Sequence, residues 1–243
     1  MTVAVSWTVG VVVPARDESR LIGPCLRSLL RAEVAPDAER WIVVVADRCT
    51  DGTAHVALRT LGGAGEVLEI EAGSVGEARR VGAQAFLDRA GADGRPPRRT
   101  WLLSTDADST VPPGWFDVHL AHARAGAAAV AGIVSVASFA EHPPHVRARF
   151  AARYTLGLDG THSHVHGANF GVRADAYLDV GGWPSLATAE DHGLWNRLLA
   201  RGHPTVSAID GPVATSGRAR GRAQAGFADL LCGLGEVDIE AAR

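Results

Sequence analysis

The sequence predicts an α/β fold, a mostly parallel Rossmann-like sheet with helices on both faces, built as a single domain. Two observations carry this. Short β-branched runs alternate with helix-like stretches through the first hundred residues, the pattern left by successive strand–helix–strand crossovers. The runs Val11 to Val13 and Ile42 to Val45 are continuously apolar, which suits strands covered on both faces rather than strands with one wet face.

Taken in order, "TVGVVV" (8–13), "RWIVVVA" (40–46), "EVLEIE" (66–71) and "TWLLS" (100–104) read as strands. Helices are expected between them over 17–32, 51–61 and 75–90, and "GADGRPPRR" (91–99) reads as a polar Gly/Pro loop. Past residue 110 the spacing is less regular. A helix opened by proline is expected over 112–125, a strand over 128–138 and a helix over 143–158. Strand, short helix and turn follow over 164–183, then an amphipathic helix over 187–203 whose first turn carries Glu190 and Asp191. From about 215 the chain is arginine-rich and then apolar, an arm ending in a helix.

Composition narrows the function classes. At 243 residues and 47% hydrophobic content the chain can bury a full core. Its 24 basic residues, all arginine, stand against 27 acidic ones, so there is no nucleic-acid footprint and no mechanism that needs lysine. Cys25, Cys49 and Cys232 are too far apart for a disulfide framework or a zinc knuckle. The apolar N-terminus lacks a basic start and reads as a strand, and the run over 125–140 falls short of a membrane span. A cytoplasmic protein without an integral membrane segment is expected.

The sharpest motif is "LLSTDADST" (102–110), where a buried strand runs into Asp106 and Asp108. Ligands of open parallel sheets bind at the carboxyl ends of strands, and alternate residues of an extended segment point the same way. Two carboxylates so placed suit Mg²⁺ or Mn²⁺, hard ions that complete their shell with water and phosphate oxygens. Two rivals stand beside this reading: an aspartate-rich turn capping the next helix, and the D-x-D-x-T nucleophile of a haloacid-dehalogenase-like phosphatase, in which Asp106 would attack phosphorus. That phosphatase family places the motif on its first strand and uses a later lysine, and this chain has neither feature.

Several ordered motifs together resemble family 2 glycosyltransferases of the GT-A fold along nearly the whole chain. "VVVPARDE" is similar to that family's first strand and following turn, which implies nucleoside contacts from Pro14, Ala15 and Glu18. "VVVADRCTDGT" resembles its base-binding segment, with Asp47 matching the acid that meets the base and Ala46 replacing the first acid of the usual pair. "GEARRVG" resembles a helix start in which Arg79 reaches the base or diphosphate, and "DADSTVPPGWF" resembles the metal motif. "HGANFGVRADAYLDVGGW" and "AEDHGLWNRLLARGH" resemble the acceptor side, implying Asn169, Trp183 and Glu190 as acceptor contacts and Asp191 as general base.

The resemblance implies a metal-dependent, inverting transfer of a sugar from a UDP-, GDP- or dTDP-linked donor to the hydroxyl of a small-molecule or saccharide acceptor. It divides the chain into a glycosyltransferase domain over 1–217, with a nucleotide-binding half (1–110) and an acceptor-binding half (111–217), and an arm over 218–243. A non-catalytic nucleotide-sugar-binding module is the other alternative. His162, His164 and His166 alternate and would share one strand face, a wet face or a border of the acceptor pocket. Arg218, Arg220 and Arg222 offer forks that match diphosphate oxygens, or a solvated tail.

Overall fold

The computed structural model describes residues 6–154, 161–222 and 226–236. Among these, seven strands form one sheet: β1 (Trp7–Ala15), β2 (Ala38–Asp47), β3 (Gly65–Ile70), β4 (Thr100–Ser104), β5 (Ala129–Val136), β6 (Phe170–Arg173) and β7 (Thr205–Thr215). Their spatial order is β3-β2-β1-β4-β6-β5-β7. The first four run parallel, and β6 lies antiparallel between β4 and β5. The helices are α1 (Ile22–Arg31), α2 (Thr53–Leu61), α3 (Val75–Ala92), α4 (Trp115–Arg124), α5 (His145–Arg153), α6 (Ala174–Asp179), α7 (Glu190–Ala200) and α8 (Phe227–Glu236). None is long and apolar enough to cross a membrane.

Strand parity explains the two-faced core. Val9, Val11 and Val13 of β1, with Ile42 and Val44 of β2, face α1, α2 and α4. Val12, Val43 and Val45 point the other way, toward α3 and α7. The helix α3 lies close on β1 because Gly10 has no side chain: a Cβ there would sit 2.2 Å from the Phe86 ring. The expected loop over 91–99 is shorter than its composition suggests, since α3 runs to Ala92 and Pro97–Arg99 form a 3₁₀ turn. The helix expected over 143–158 is α5, ending at Arg153, and 155–160 lie outside the described residues. The expected arm ends in α8, whose Leu231 and Leu234 pack with Val146 of α5. All three cysteines are free.

A buried polar knot ties α4 to the sheet. The Asn169 side-chain oxygen accepts from Trp115 Nε1 at 2.8 Å and lies 3.1 Å from His119 Nε2, while its amide donates to the Ile133 and Gly211 carbonyls. Because that oxygen can only accept, His119 Nε2 carries the hydrogen. Burial holds its pKa down at about 4. A histidine with a depressed folded-state pKa contributes stability above its unfolded value near 6.5, and that contribution is lost as pH falls from there toward 4. The loss is on the order of 3 kcal/mol at full titration. His119→Gln keeps a donor without the titration, so its thermal midpoint is expected to fall several degrees less than that of the native chain between pH 7 and 4.5. Equal falls would show that His119 does not carry the acid sensitivity.

Candidate active site

After β1 the chain goes to β2 and β3 on one side and returns to β4 on the other, so the order reverses between β1 and β4. The carboxyl ends flanking such a switch point splay apart and leave a crevice. A cleft of about 740 Å³ opens there, lined among others by Pro14, Ala15, Glu18, Asp47, Arg79, Asp106, Asp108, Glu190 and Asp191. The structure therefore brings together residues that lie up to 177 positions apart in the chain. Among the described residues, three non-glycine ones have left-handed backbones, Asp17, Arg48 and Ala189, each with φ between 51° and 57°. Each adjoins a carboxylate of the cleft, Glu18, Asp47 or Glu190, and such strained backbone tends to collect where function requires it.

Arg79 organises the centre. It projects from α3 and is 3% exposed. Its Nε donates to the Ser104 hydroxyl at 2.9 Å, one terminal nitrogen meets Asp106 Oδ1 at 2.5 Å, and the other meets Glu190. The guanidinium lies over the Trp183 ring, 5.4 Å from its centroid. Gly167 leaves room for it, since a Cβ there would fall 2.4 Å from an Arg79 nitrogen. Burial pushes the Glu190 carboxyl up, and the Arg79 charge opposes this. The Arg79 fork, expected to reach base or diphosphate, is thus committed to Ser104, Asp106 and Glu190.

The metal-motif end holds a second bridge. Arg218 meets Glu18 at 2.6 Å and Asp108 at 2.9 Å, and Arg222 donates to the Asp17 carbonyl. Even so, the Asp108 carboxyl is pushed up to about 7, first by burial and then by the negative charge of Asp106. Burial also pushes Glu18 up, against the opposing charge of Arg218. Glu18, Asp106 and Asp108 converge here beside Arg79, Arg218 and Arg222, and the hard oxygens of Asp106 and Asp108 fit a divalent cation. Asp47 is fixed differently: its two oxygens accept the Gly73 and Ser74 amides at 2.9 and 3.0 Å, which holds the turn that leads into α3. Ser74 caps that helix by accepting from the Glu77 amide, a contact signalled by the S-x-x-E spacing.

At the other end, Asp191 Oδ2 accepts the Gly167 amide at 2.8 Å. Two of the expected acceptor contacts lie away from the cleft lining. Asn169 is 1% exposed and belongs to the knot with Trp115 and His119. Trp183 is 3% exposed, packs on Phe170 and carries Arg79 on its face. Neither lines the cleft, because the large rings of α4 and β6 draw both into the core. Of the three histidines, His166 lines the cleft and His162 is bonded to the Ala208 carbonyl.

The family model described as "Glycosyltransferase like family 2" matches residues 7–221, and the chain belongs to this family. Among solved structures it resembles the mannosyltransferase PcManGT from Pyrobaculum calidifontis in complex with GDP-Man and Mn²⁺, at 18% identity and a TM-score of 0.65, over 88% of this chain and 58% of that one. It also resembles residues 1–349 of S. aureus TarS in complex with UDP, at 16% identity and a TM-score of 0.64, over 86% of this chain and 60% of that one. GalNAc-T7 with UDP, GalNAc and Mn²⁺ aligns at 13% identity and a TM-score of 0.63, over 86% of this chain and 44% of that one. The chain thus shares the GT-A fold of these proteins and spans less than two thirds of their length. No curated protein matches it significantly.

Proposed function

We propose that this protein transfers a glycosyl group from a nucleoside-diphosphate sugar to an acceptor hydroxyl, with inversion and with a divalent metal, Mn²⁺ or Mg²⁺. The observation that carries the reading is the pair Asp106 and Asp108 at the end of β4, sharing one cleft with Asp191. The UDP and GDP-Man in the similar structures favour a nucleotide-linked donor, and the Mn²⁺ favours the metal.

A divalent metal would be held by Asp106 and Asp108 and would supply positive charge to the leaving diphosphate. The remaining steps belong to the chain. Pro14, Ala15 and Glu18 wall the nucleoside end, while Asp47 positions the Gly73–Ser74 turn beside it. Arg79 meets the Asp106 carboxylate at 2.5 Å and aims it. Asp191 takes the proton of the acceptor hydroxyl as its oxygen attacks the anomeric carbon from the face opposite the diphosphate, a single displacement that inverts the centre. Glu190, buried against Arg79, sets the start of α7 from which Asp191 projects.

Incubation with UDP-, GDP- and dTDP-sugars and Mn²⁺ is expected to release one nucleoside diphosphate, read by chromatography. Release of inorganic phosphate from a simple phosphoester, with no nucleotide dependence, would instead support the hydrolase reading. Arg218 provides a finer test. Its fork matches diphosphate oxygens, and a charge-assisted contact of that kind contributes about 1.5–3 kcal/mol. Arg218→Ala is expected to weaken donor binding at least about tenfold in a titration. Tighter binding would mean that Arg218 competes with the metal rather than assisting the donor.

A further inference from the structure

We infer that the end of the cleft beyond Asp191 receives an acceptor with a planar, mainly apolar body carrying one reactive hydroxyl, rather than a saccharide. The inference concerns the acceptor end of the site just described and rests on that reading for the role of Asp191.

The wall at this end is built from Val134, Val165, His166, Phe227, Ala228 and Leu230. Behind it stands a ladder of flat rings. Tyr154 and His164 stack with centroids 4.1 Å apart and planes within 2°, and His164 and His166 continue the stack at 5.9 Å and 10°. Phe227 closes the corner edge-on to His166, with centroids 6.0 Å apart and planes at 87°. The backbone amide of Val134 donates to the Tyr154 hydroxyl, so the phenol oxygen already has a partner within the wall. Burial keeps the His166 ring largely neutral, its pKa drawn down to about 4, so the wall presents uncharged π surface at neutral pH.

A pyranose carries a hydroxyl on most ring carbons, and each one that loses water needs a hydrogen-bond partner. The side chains of this apolar stretch offer one polar ring, with Thr188, His192, Thr215 and Ser216 also on the cleft lining, and the neighbouring Glu190 is committed to Arg79. A flat apolar molecule needs no such partners. Its rings pack against Phe227 and Leu230, offset or edge-on to the π surfaces, and a single hydroxyl at its rim meets Asp191. The chemistry of the wall therefore selects a phenol-like or polycyclic alcohol acceptor.

The test uses 4-methylumbelliferone and 2-naphthol as planar probes, with glucose and N-acetylglucosamine as saccharide probes, each in equilibrium dialysis against the full chain with Mn²⁺ and the nucleoside diphosphate. Thermal stabilisation by nucleotide and Mn²⁺ is recorded on the same samples. The inference expects the planar probes to bind, the saccharides not to, and Phe227→Ala and Leu230→Ser each to weaken planar binding about tenfold while the nucleotide-dependent stabilisation persists. Preferential saccharide binding, or planar binding indifferent to both substitutions, would overturn it. Failure of all four probes while the nucleotide stabilises the protein would overturn it as well. Planar binding without any nucleotide effect would support the apolar site and count against the transferase reading.

Discussion

Asp191→Asn is expected to lower glycosyl transfer by roughly 10²–10⁴-fold, the range over which a positioned base contributes, while donor binding is retained. Asparagine keeps the shape and can still accept the Gly167 amide, a bond of 2.8 Å that fixes the residue, so the fold of this corner should survive. What is lost is the capacity to take a proton. The variant should therefore bind nucleoside diphosphate and metal as the native chain does and fail in turnover. Single-turnover measurements with saturating donor would show the split between binding and chemistry. Transfer at the native rate would place the base elsewhere in the cleft.

Arg79→Met is expected to destabilise the protein by about 3–5 kcal/mol, because it leaves two carboxylates facing each other without their shared cation. Asp106 and Glu190 both meet this guanidinium, and Glu190 is 4% exposed, so water cannot replace the charge. For a chain of this size the shift corresponds to roughly 10 °C in thermal midpoint. Pairing the change with Glu190→Leu removes one of the stranded charges and should recover part of the loss, as apolar replacement of buried ion pairs often does. A single variant as stable as the native chain would show that the Arg79 bridge is not a structural centre.

The first half of the fold was legible because its strands are covered on both faces and so carry unbroken apolar runs. The strand β7 was not, because Asp210, Gly211 and Pro212 interrupt its apolar run. It tolerates them as an edge strand whose register with β5 slips between Gly132 and Val134. In the site, Asp106 and Asp108 were readable as acids at a strand end, and Glu18 and Asp47 through the family resemblance. The burial of Asn169 and Trp183 was not legible, because a recurring pattern marks which residues matter and not which surface they face. The partners of Arg79 could not be read from spacing, since Glu190 lies 111 residues away. The same limit applies to Arg218, which reaches Glu18 only because the chain after β7 folds back over the cleft.

The central claim, that Asp106 and Asp108 hold a metal against the diphosphate of a nucleotide-linked donor, is tested most directly by the thermal midpoint of the protein with UDP, GDP and dTDP, each with and without Mn²⁺. The same series is repeated on Asp108→Ala. A ligand that binds only the folded state raises its stability by mass action, about 2.7 kcal/mol at a hundredfold excess over Kd. The account predicts an upward shift with one nucleotide that requires Mn²⁺ and vanishes in Asp108→Ala. A shift that is independent of the metal and unchanged in the variant, or no shift with any nucleotide, would contradict it.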